Sequence, residues 1–229
     1  MTVPTQAVET AVVRRAREFE YEAVGELTFR GFGHHLAGAR QPDAERLNLL
    51  VDAGARAAAG ELLVAEDTTT GELLGTVTVL QHGSALARQA EPGEVEVRLL
   101  AVLPEARRRG LGWLLLDRAS ELAVAQGAER IVLDTGVDNH GSQNLYERYG
   151  YVRRPDREKP RPAPKVQLAV FTLASPAANH SPGRPRPPRC ITGRVSNPRA
   201  VYLTRALSGP VLRCFAKPGP QGSDLRTSP

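Results

Sequence analysis

From Glu94 the chain reads Glu-Val-Glu-Val-Arg-Leu-Leu-Ala, with apolar residues at 95, 97, 99 and 101 set between Glu94, Glu96, Arg98 and Leu100. Period two is the mark of a pleated strand. Pro104 ends it, because proline fixes its own φ and cannot donate to a ladder. After Arg107–Gly112 the period changes. Apolar residues at 111, 114, 115, 119, 122 and 123 share one helical face, and Gly127 supplies the C-terminal stop.

The same reading extends along the chain. Thr10 to Arg17 predicts a first strand. Glu18 to Phe32 predicts a helix with Phe19, Ala23 and Leu27 at i, i+4 and i+8, broken by Gly31, Gly33 and Gly38. Asp43 to Ala59 predicts one second helix, capped near Pro42-Asp43 and closed by Gly60. Leu62–Glu66 and Leu73–Gln81 flank the turn residues Thr68–Glu72 and predict a hairpin. Arg130 to Thr135 reads as a buried strand, Gly141 to Tyr149 as a short helix stopped by Gly150, and Tyr151-Val152 as the start of another strand. Arg153 to Lys165, with four prolines, reads as a mobile basic connection to a last strand at Val166–Leu173. The resulting order is β-α-α-β-β-β-α-β-α-β-β.

Composition changes this picture only at the C-terminal end. A chain of 229 residues, 41% of them hydrophobic, suits one core of moderate size with something extra. From Pro176 onward nine Lys or Arg stand against one acid, Asp224, a net of +8. The whole chain is +5, so the first 175 residues carry −3. The same tail holds ten of the eighteen prolines and keeps no helical or strand period. The expected division is therefore a folded domain over 1–175 and a disordered basic tail over 176–229. No apolar run approaches the roughly 18 residues of a membrane span. The N-terminal MTVPTQAVETAVVRRARE lacks a signal-peptide core, so the expected location is cytoplasmic. Cys190 and Cys214 both fall in the tail, which leaves the domain before it without a disulfide or a thiol nucleophile.

The turn Arg107-Arg108-Arg109-Gly110-Leu111-Gly112 joins the strand to the helix and is a ready anion site. The first N–H groups of a helix have no internal partner, and glycines let a phosphate approach the backbone. A tight turn with solvated arginines is the structural alternative. Two nucleotide motifs are excluded. A dinucleotide fingerprint needs a third glycine near 115, which is Leu, and a P-loop needs Gly-Lys-Ser/Thr.

Strand, Val102-x-Pro104, R-x-x-G-x-G and amphipathic helix together resemble the acetyl-coenzyme A signature of the GNAT superfamily of N-acetyltransferases. About thirty residues later, Asn139-His140-Gly141-Ser142-Gln143-Asn144-Leu145-Tyr146-Glu147-Arg148-Tyr149-Gly150-Tyr151 is similar to the second motif of that superfamily, with Ser142 for the usual Ala and Tyr151 for the usual Phe. The resemblance covers about residues 10–174. It implies a mixed α/β fold with a central, mostly antiparallel sheet flanked by helices. It also implies transfer of an acetyl group from acetyl-coenzyme A to a primary amine, without a metal.

Residue roles follow from the resemblance. Arg107, Arg108, Arg109, Gly110, Leu111 and Gly112 would cradle the pyrophosphate. Backbone groups of Leu100, Val102 and Leu103 would pair with the pantetheine arm and the acetyl oxygen, and Asn139 would contact the pantetheine amide. Tyr146 would protonate the departing thiolate, since a phenol with pKa near ~10 keeps its proton at neutral pH. Glu96, sharing side-chain parity with Leu100 and Val102, would act as the base, with Glu94 or water as substitutes. Each has a structural counterpart: a core tyrosine, a helix-entry cap, a carboxylate on a solvated strand face.

The acceptor is a small-molecule or peptide amine that the sequence does not specify. A homodimer and a weak polyanion contact through the tail are compatible with it. The reading from another class is a coenzyme A-binding sensor without turnover. His34 and His35 read as loop residues, and no His/Cys/Asp cluster has metal-ligand spacing.

Overall fold

A computed structural model describes residues 10–162 and 165–175. The expected tail over 176–229, with both cysteines, lies outside the described residues. The elements are β1 (Ala11–Arg15), α1 (Tyr21–Gly31), α2 (Ala44–Val51), α3 (Ala53–Ala59), β2 (Glu61–Asp67), β3 (Leu73–Gln81), β4 (Glu94–Val102), α4 (Leu111–Ala125), β5 (Arg130–Gly136), α5 (His140–Tyr149), β6 (Val152–Arg153) and β7 (Leu168–Ala174). Short 3₁₀ turns precede α1, follow β4 and follow β6. The seven strands form one sheet in the order β1-β2-β3-β4-β5-β7-β6. Only β4 and β5 pair in parallel.

The alternation along β2 shows how the sheet is covered. Leu63 and Ala65 join the larger core under α4 and α5, with Val77, Val79, Val95, Val97, Leu115, Leu116 and Tyr146. Leu62 and Val64 face the other way, onto Val24 of α1 and Ala53 of α3. Both faces are therefore dry, which is why β4 is buried from Glu94 to Val97 without a solvated side. The structural alternative for the candidate base, a carboxylate on a solvated strand face, does not hold: Glu94 is 3% and Glu96 0% exposed.

Three expectations are corrected locally. The second helix is two helices, because Asp52 leaves helical geometry (ψ 79°) and its side chain accepts the N–H of Ala55 at 2.8 Å, capping α3. The helix expected to start at Glu18 opens with a 3₁₀ turn over Glu18–Glu20. The connection after Arg153 is pinned at Arg157, whose guanidinium reaches both carboxylate oxygens of Glu94 at 3.0 Å and the carbonyl of Gln89.

Two glycines set how the helices reach the sheet. A Cβ on Gly25 would sit 2.3 Å from the carbonyl oxygen of Val51, so only glycine lets α1 lie this close to α2. A Cβ on Gly31 would meet that of Ala101 at 2.8 Å, so the end of α1 touches the far end of β4. Between α1 and α3 the Arg56 side chain is fully buried without an ion-pair partner among the described residues. It donates to Thr28 Oγ1 at 3.0 Å, while Nε and Nη1 have no acceptor. Burial lowers its pKa to about 10, so it is still charged at neutral pH and costs folding energy at every pH below that value.

A substitution follows from this. Arg56→Met keeps the bulk and removes the buried charge, and Thr28 still donates to the Val24 carbonyl at 2.6 Å. The shift corresponds to about 3 kcal/mol. Thermal unfolding should show a rise of roughly 5–10 °C. A fall would mean that Arg56 is held by a partner of its own.

Candidate active site

The parallel pairing of β4 with β5 runs from Glu94↔Arg130 to Val97↔Leu133 and then stops. β5 continues to Gly136 alongside β7, whereas β4 turns away. The cause is a bulge. Thr78 pairs with Arg98 and Thr76 with Ala101, so Leu99 and Leu100 together stand opposite Val77. Leu99 takes φ 53°, a left-handed conformation that costs a leucine energy and persists because the surrounding sheet holds it.

The bulge also changes side-chain parity, which corrects an expectation. Beyond it, Leu100 and Val102 pack with Val95 and Val97 on the α4 face. Glu96 and Arg98 instead share the opposite face with Ala101, toward α1 and α2. From Arg98 onward the β5-side edge of β4 has no strand partner among the described residues.

This splay opens a cleft of about 2490 Å³. A site for one small ligand spans ~300–1,000 Å³, so there is room for a long coenzyme and a second substrate. One end is lined by Val102, Pro104, Arg107, Arg108, Gly110–Trp113, Asn139 and Tyr146. The other is lined by Phe32, Arg46, Arg88, Arg98, Asp134 and Arg161.

At the first end the turn before α4 is left-handed twice, at Arg108 (φ 67°) and Gly110 (φ 83°). Backbone pairing resumes at Trp113, which donates to the Gly110 carbonyl at 3.0 Å. Between Arg107 and Trp113, the five consecutive N–H groups of 108–112 make no hydrogen bond among the described residues. Such a run of free donors at a helix N-terminus is an anion nest.

The three arginines divide. Arg108 is exposed and without a partner among the described residues. Arg107 lines the cleft while donating to the Gly31 carbonyl at 2.8 Å. Arg109 is not brought to the cleft, because it pairs with Asp67 at 3.0 Å. Leu103 is also turned away, its N–H donating to the Leu74 carbonyl at 3.0 Å. Asn139 lines the cleft and caps α5, its side chain accepting the N–H of Ser142 at 3.2 Å.

Tyr146 lies on α5 at 5% exposure, its ring edge-on to Phe171 at 5.8 Å and tilted against Tyr151 at 5.9 Å. Burial raises its pKa well above that of a free phenol. The negative charge of Asp134 adds to the rise, and the Ser142 hydroxyl beside it opposes.

Glu96 is buried behind the cleft wall. Its Oε2 accepts the N–H groups of Arg88, Gln89 and Ala90 at 2.6, 2.7 and 3.2 Å, and its Oε1 lies 3.4 Å from Arg98 Nε. Glu94 is farther back. Burial alone would raise its carboxyl, but hydrogen bonds from Arg130, the Glu91 amide and Arg157 hold it below the usual carboxylate range. Several acids line the cleft, Asp43, Glu45, Asp117, Asp134 and Asp138, and the one beside Tyr146 and Arg88 is Asp134, missed in the sequence. It is gripped by Arg88 Nη2 at 2.9 and 3.1 Å and by Gln89 Nε2 at 3.0 Å. A signal was present: Asp134 interrupts the apolar run Ile131-Val132-Leu133, two residues after the partner of Glu96.

Comparison with known proteins agrees with this architecture. The family model for the acetyltransferase (GNAT) family matches residues 11–151. Mycothiol acetyltransferase of Cellulomonas flavigena is 28% identical over 177 residues, covering 74% of this chain and 44% of that protein. N-alpha-acetyltransferase 30 of Schizosaccharomyces pombe is 35% identical over 57 residues, covering 25% and 38%. The chain thus spans less than half the length of these relatives.

Among solved structures, a putative acetyltransferase from Salmonella typhimurium, determined with its cofactor acetyl-CoA, superposes with TM-score 0.54. It is 21% identical and is covered over 97% of its length by 76% of this chain. A GNAT-family acetyltransferase from Staphylococcus aureus Mu50 gives 0.54 at 14% identity, with 72% of this chain and 98% of that one covered. With the sheet, the splay and the helix-terminal turn in place, the matched span of more than half the chain is decisive: this protein belongs to the acetyltransferase (GNAT) family.

Proposed function

We propose that this protein transfers the acetyl group of acetyl-coenzyme A to a primary amine by direct attack in the gap between β4 and β5. The observation that carries the reading is the row of unpaired N–H groups over 108–112, opening onto the same cleft as Tyr146. Family membership and the acetyl-CoA recorded with the Salmonella relative support it.

Acetyl-coenzyme A supplies an activated thioester, and the protein supplies the rest. The amides of 108–112 and the Arg108 guanidinium bind the pyrophosphate, with Arg107 at the rim. The free edge of β4 at Leu100 and Val102 orders the pantetheine arm, and Asn139 borders it. Tyr146 keeps its proton over the working pH range and gives it to the sulfur as coenzyme A departs. On the other face, Asp134 takes the proton of the attacking amine. Glu96 has a positioning role: it holds the backbone of 88–90, whose Arg88 and Gln89 side chains grip Asp134. The catalytic unit on this reading is 1–175, since all seven strands of the sheet among the described residues end by Ala174.

Release of thiol from acetyl-coenzyme A over a panel of amines tests the reading. Thiol and acetylated amine should appear in equal amounts. Asp134→Asn should lower turnover about 10²-fold. Glu96→Gln should cost less activity and more stability. Thiol release independent of any amine would contradict the proposal. A larger rate loss in Glu96→Gln than in Asp134→Asn would return the base to Glu96.

A further inference from the structure

We infer that the amine accepted by this cleft carries an oxyanion, a carboxylate or a phosphate group, and that Arg46 binds it together with Arg98 and Arg161. The inference rests on the acetyl-transfer reading and adds to it the chemical class of the acceptor.

Four guanidiniums reach the acceptor side from four separate places: Arg46 on α2, Arg88 in the β3–β4 loop, Arg98 on β4 and Arg161 in the connection before β7. Two have carboxylates at hand. Arg88 pairs with Asp134 at 2.9 Å, and Arg98 lies 3.4 Å from Glu96. Arg161 donates to the Val166 carbonyl at 3.1 Å, a neutral acceptor. Arg46 has no hydrogen bond or ion pair through its guanidinium among the described residues. It lies over the Phe32 ring, 4.9 Å from its centroid, held in the cleft wall by a face that leaves its donor edge unused. Asp43 and Glu45 line the same cleft at the start of α2, but neither makes an ion pair with Arg46 or Arg161 among the described residues.

That arrangement is unfavourable without an anion. Burial lowers the Arg46 pKa to about 10, and the neighbouring charges of Arg88, Arg98 and Arg161 act in the same direction, with Asp134 alone opposing. Arg98 is lowered too, by burial first and then by Arg88. The phosphates of the coenzyme do not answer this need, because they have their own donors at 108–112 on the α4 face. A second anion must come with the acceptor. A polyamine would bring further positive charge into the cluster, whereas a planar carboxylate or a phosphate fits the two-pronged donor edge of a guanidinium. Asp134, in the same cluster, is placed for the ammonium end of such a molecule.

Initial rates on matched amines test this directly. Each pair differs only in the oxyanion: an α-amino acid and its amide, β-alanine and propylamine, 2-aminoethylphosphonate and ethylamine, with spermidine as a polycation. The wild-type protein should prefer the oxyanion member by at least about tenfold in kcat/KM. The carboxylate and phosphonate arms tell which oxyanion is read. Arg46→Met keeps the stem and should raise the KM of the preferred member roughly 10–100-fold, without changing that of acetyl-coenzyme A. Arg46→Lys should recover part of the loss. Equal or better use of the uncharged amines or of spermidine would overturn the inference and leave acetyl transfer standing, as would an unchanged KM in Arg46→Met. Binding of acetyl-coenzyme A with no transfer to any member would overturn both.

Discussion

Tyr146→Phe should lower turnover by roughly 10²–10⁴ while acetyl-coenzyme A binds with nearly unchanged affinity. The substitution removes one oxygen and leaves the ring against Phe171 and Tyr151. The packing of α5 on the sheet should therefore survive, and thermal unfolding serves as the control. The loss should fall on kcat, because a proton donor to the leaving sulfur acts only as the bond breaks.

The pH dependence distinguishes this role further. Burial and the charge of Asp134 hold the phenol above its ordinary value. Tyr146 therefore stays protonated throughout the assay range, and wild-type kcat should show no descending limb from this group below about pH 10. Equal turnover in the two proteins would make Tyr146 a core residue. A limb near neutral pH that vanishes in Tyr146→Phe would mean that its proton is lost far more easily than its surroundings allow.

Most of the fold was legible because it depends on local signals. The period-two runs at Leu73–Gln81 and Glu94–Val102 and the helical face of α4 are strong, and both motifs sit where their spacing puts them. What escaped depends on non-local pairing. Nothing in Val97-Arg98-Leu99-Leu100 announces a bulge. It arises where β4 must stay with β3 while leaving β5, and it moves Leu100 and Val102 to the face opposite Glu96. The parity argument that set Glu96 on the side of Leu100 and Val102 assumed a regular strand and fails at the Leu99–Leu100 bulge.

Of the candidate site, the turn proposed to hold the coenzyme was legible in the sequence, and the side proposed for the acceptor much less so. The turn at 107–112 is contiguous, so a linear pattern could reveal it, though not that Arg109 would be taken by Asp67, 42 residues earlier. Asp134, Arg46, Arg88, Arg98 and Arg161 come from five different segments, and no spacing rule connects them. Their assembly follows from the splay of β4 from β5 and from the close approach of α1 to α2 at Gly25.

The second large effect concerns the cradle. In Gly112→Asp the new side chain projects from the first turn of α4, next to the free N–H groups of 108–112. Its Cβ would meet Leu145 Cδ2 at 3.0 Å, the end of a flexible side chain that can move aside. An acid in the first turn of a helix is favourable to the helix itself, so folding should be retained. Coenzyme binding is affected in the opposite sense. The carboxylate competes for the amide donors and repels the pyrophosphate, and a loss of about 100-fold in affinity corresponds to ~2.7 kcal/mol.

Calorimetric titration of acetyl-coenzyme A into the wild-type protein and into Gly112→Asp, with melting temperatures alongside, is therefore the most direct measurement. Saturable binding by the wild type, and affinity at least about 100-fold weaker in an equally stable variant, is the predicted result. Undiminished affinity in Gly112→Asp would contradict the assignment of the 107–112 turn as the coenzyme cradle and the acetyl-transfer geometry built on it.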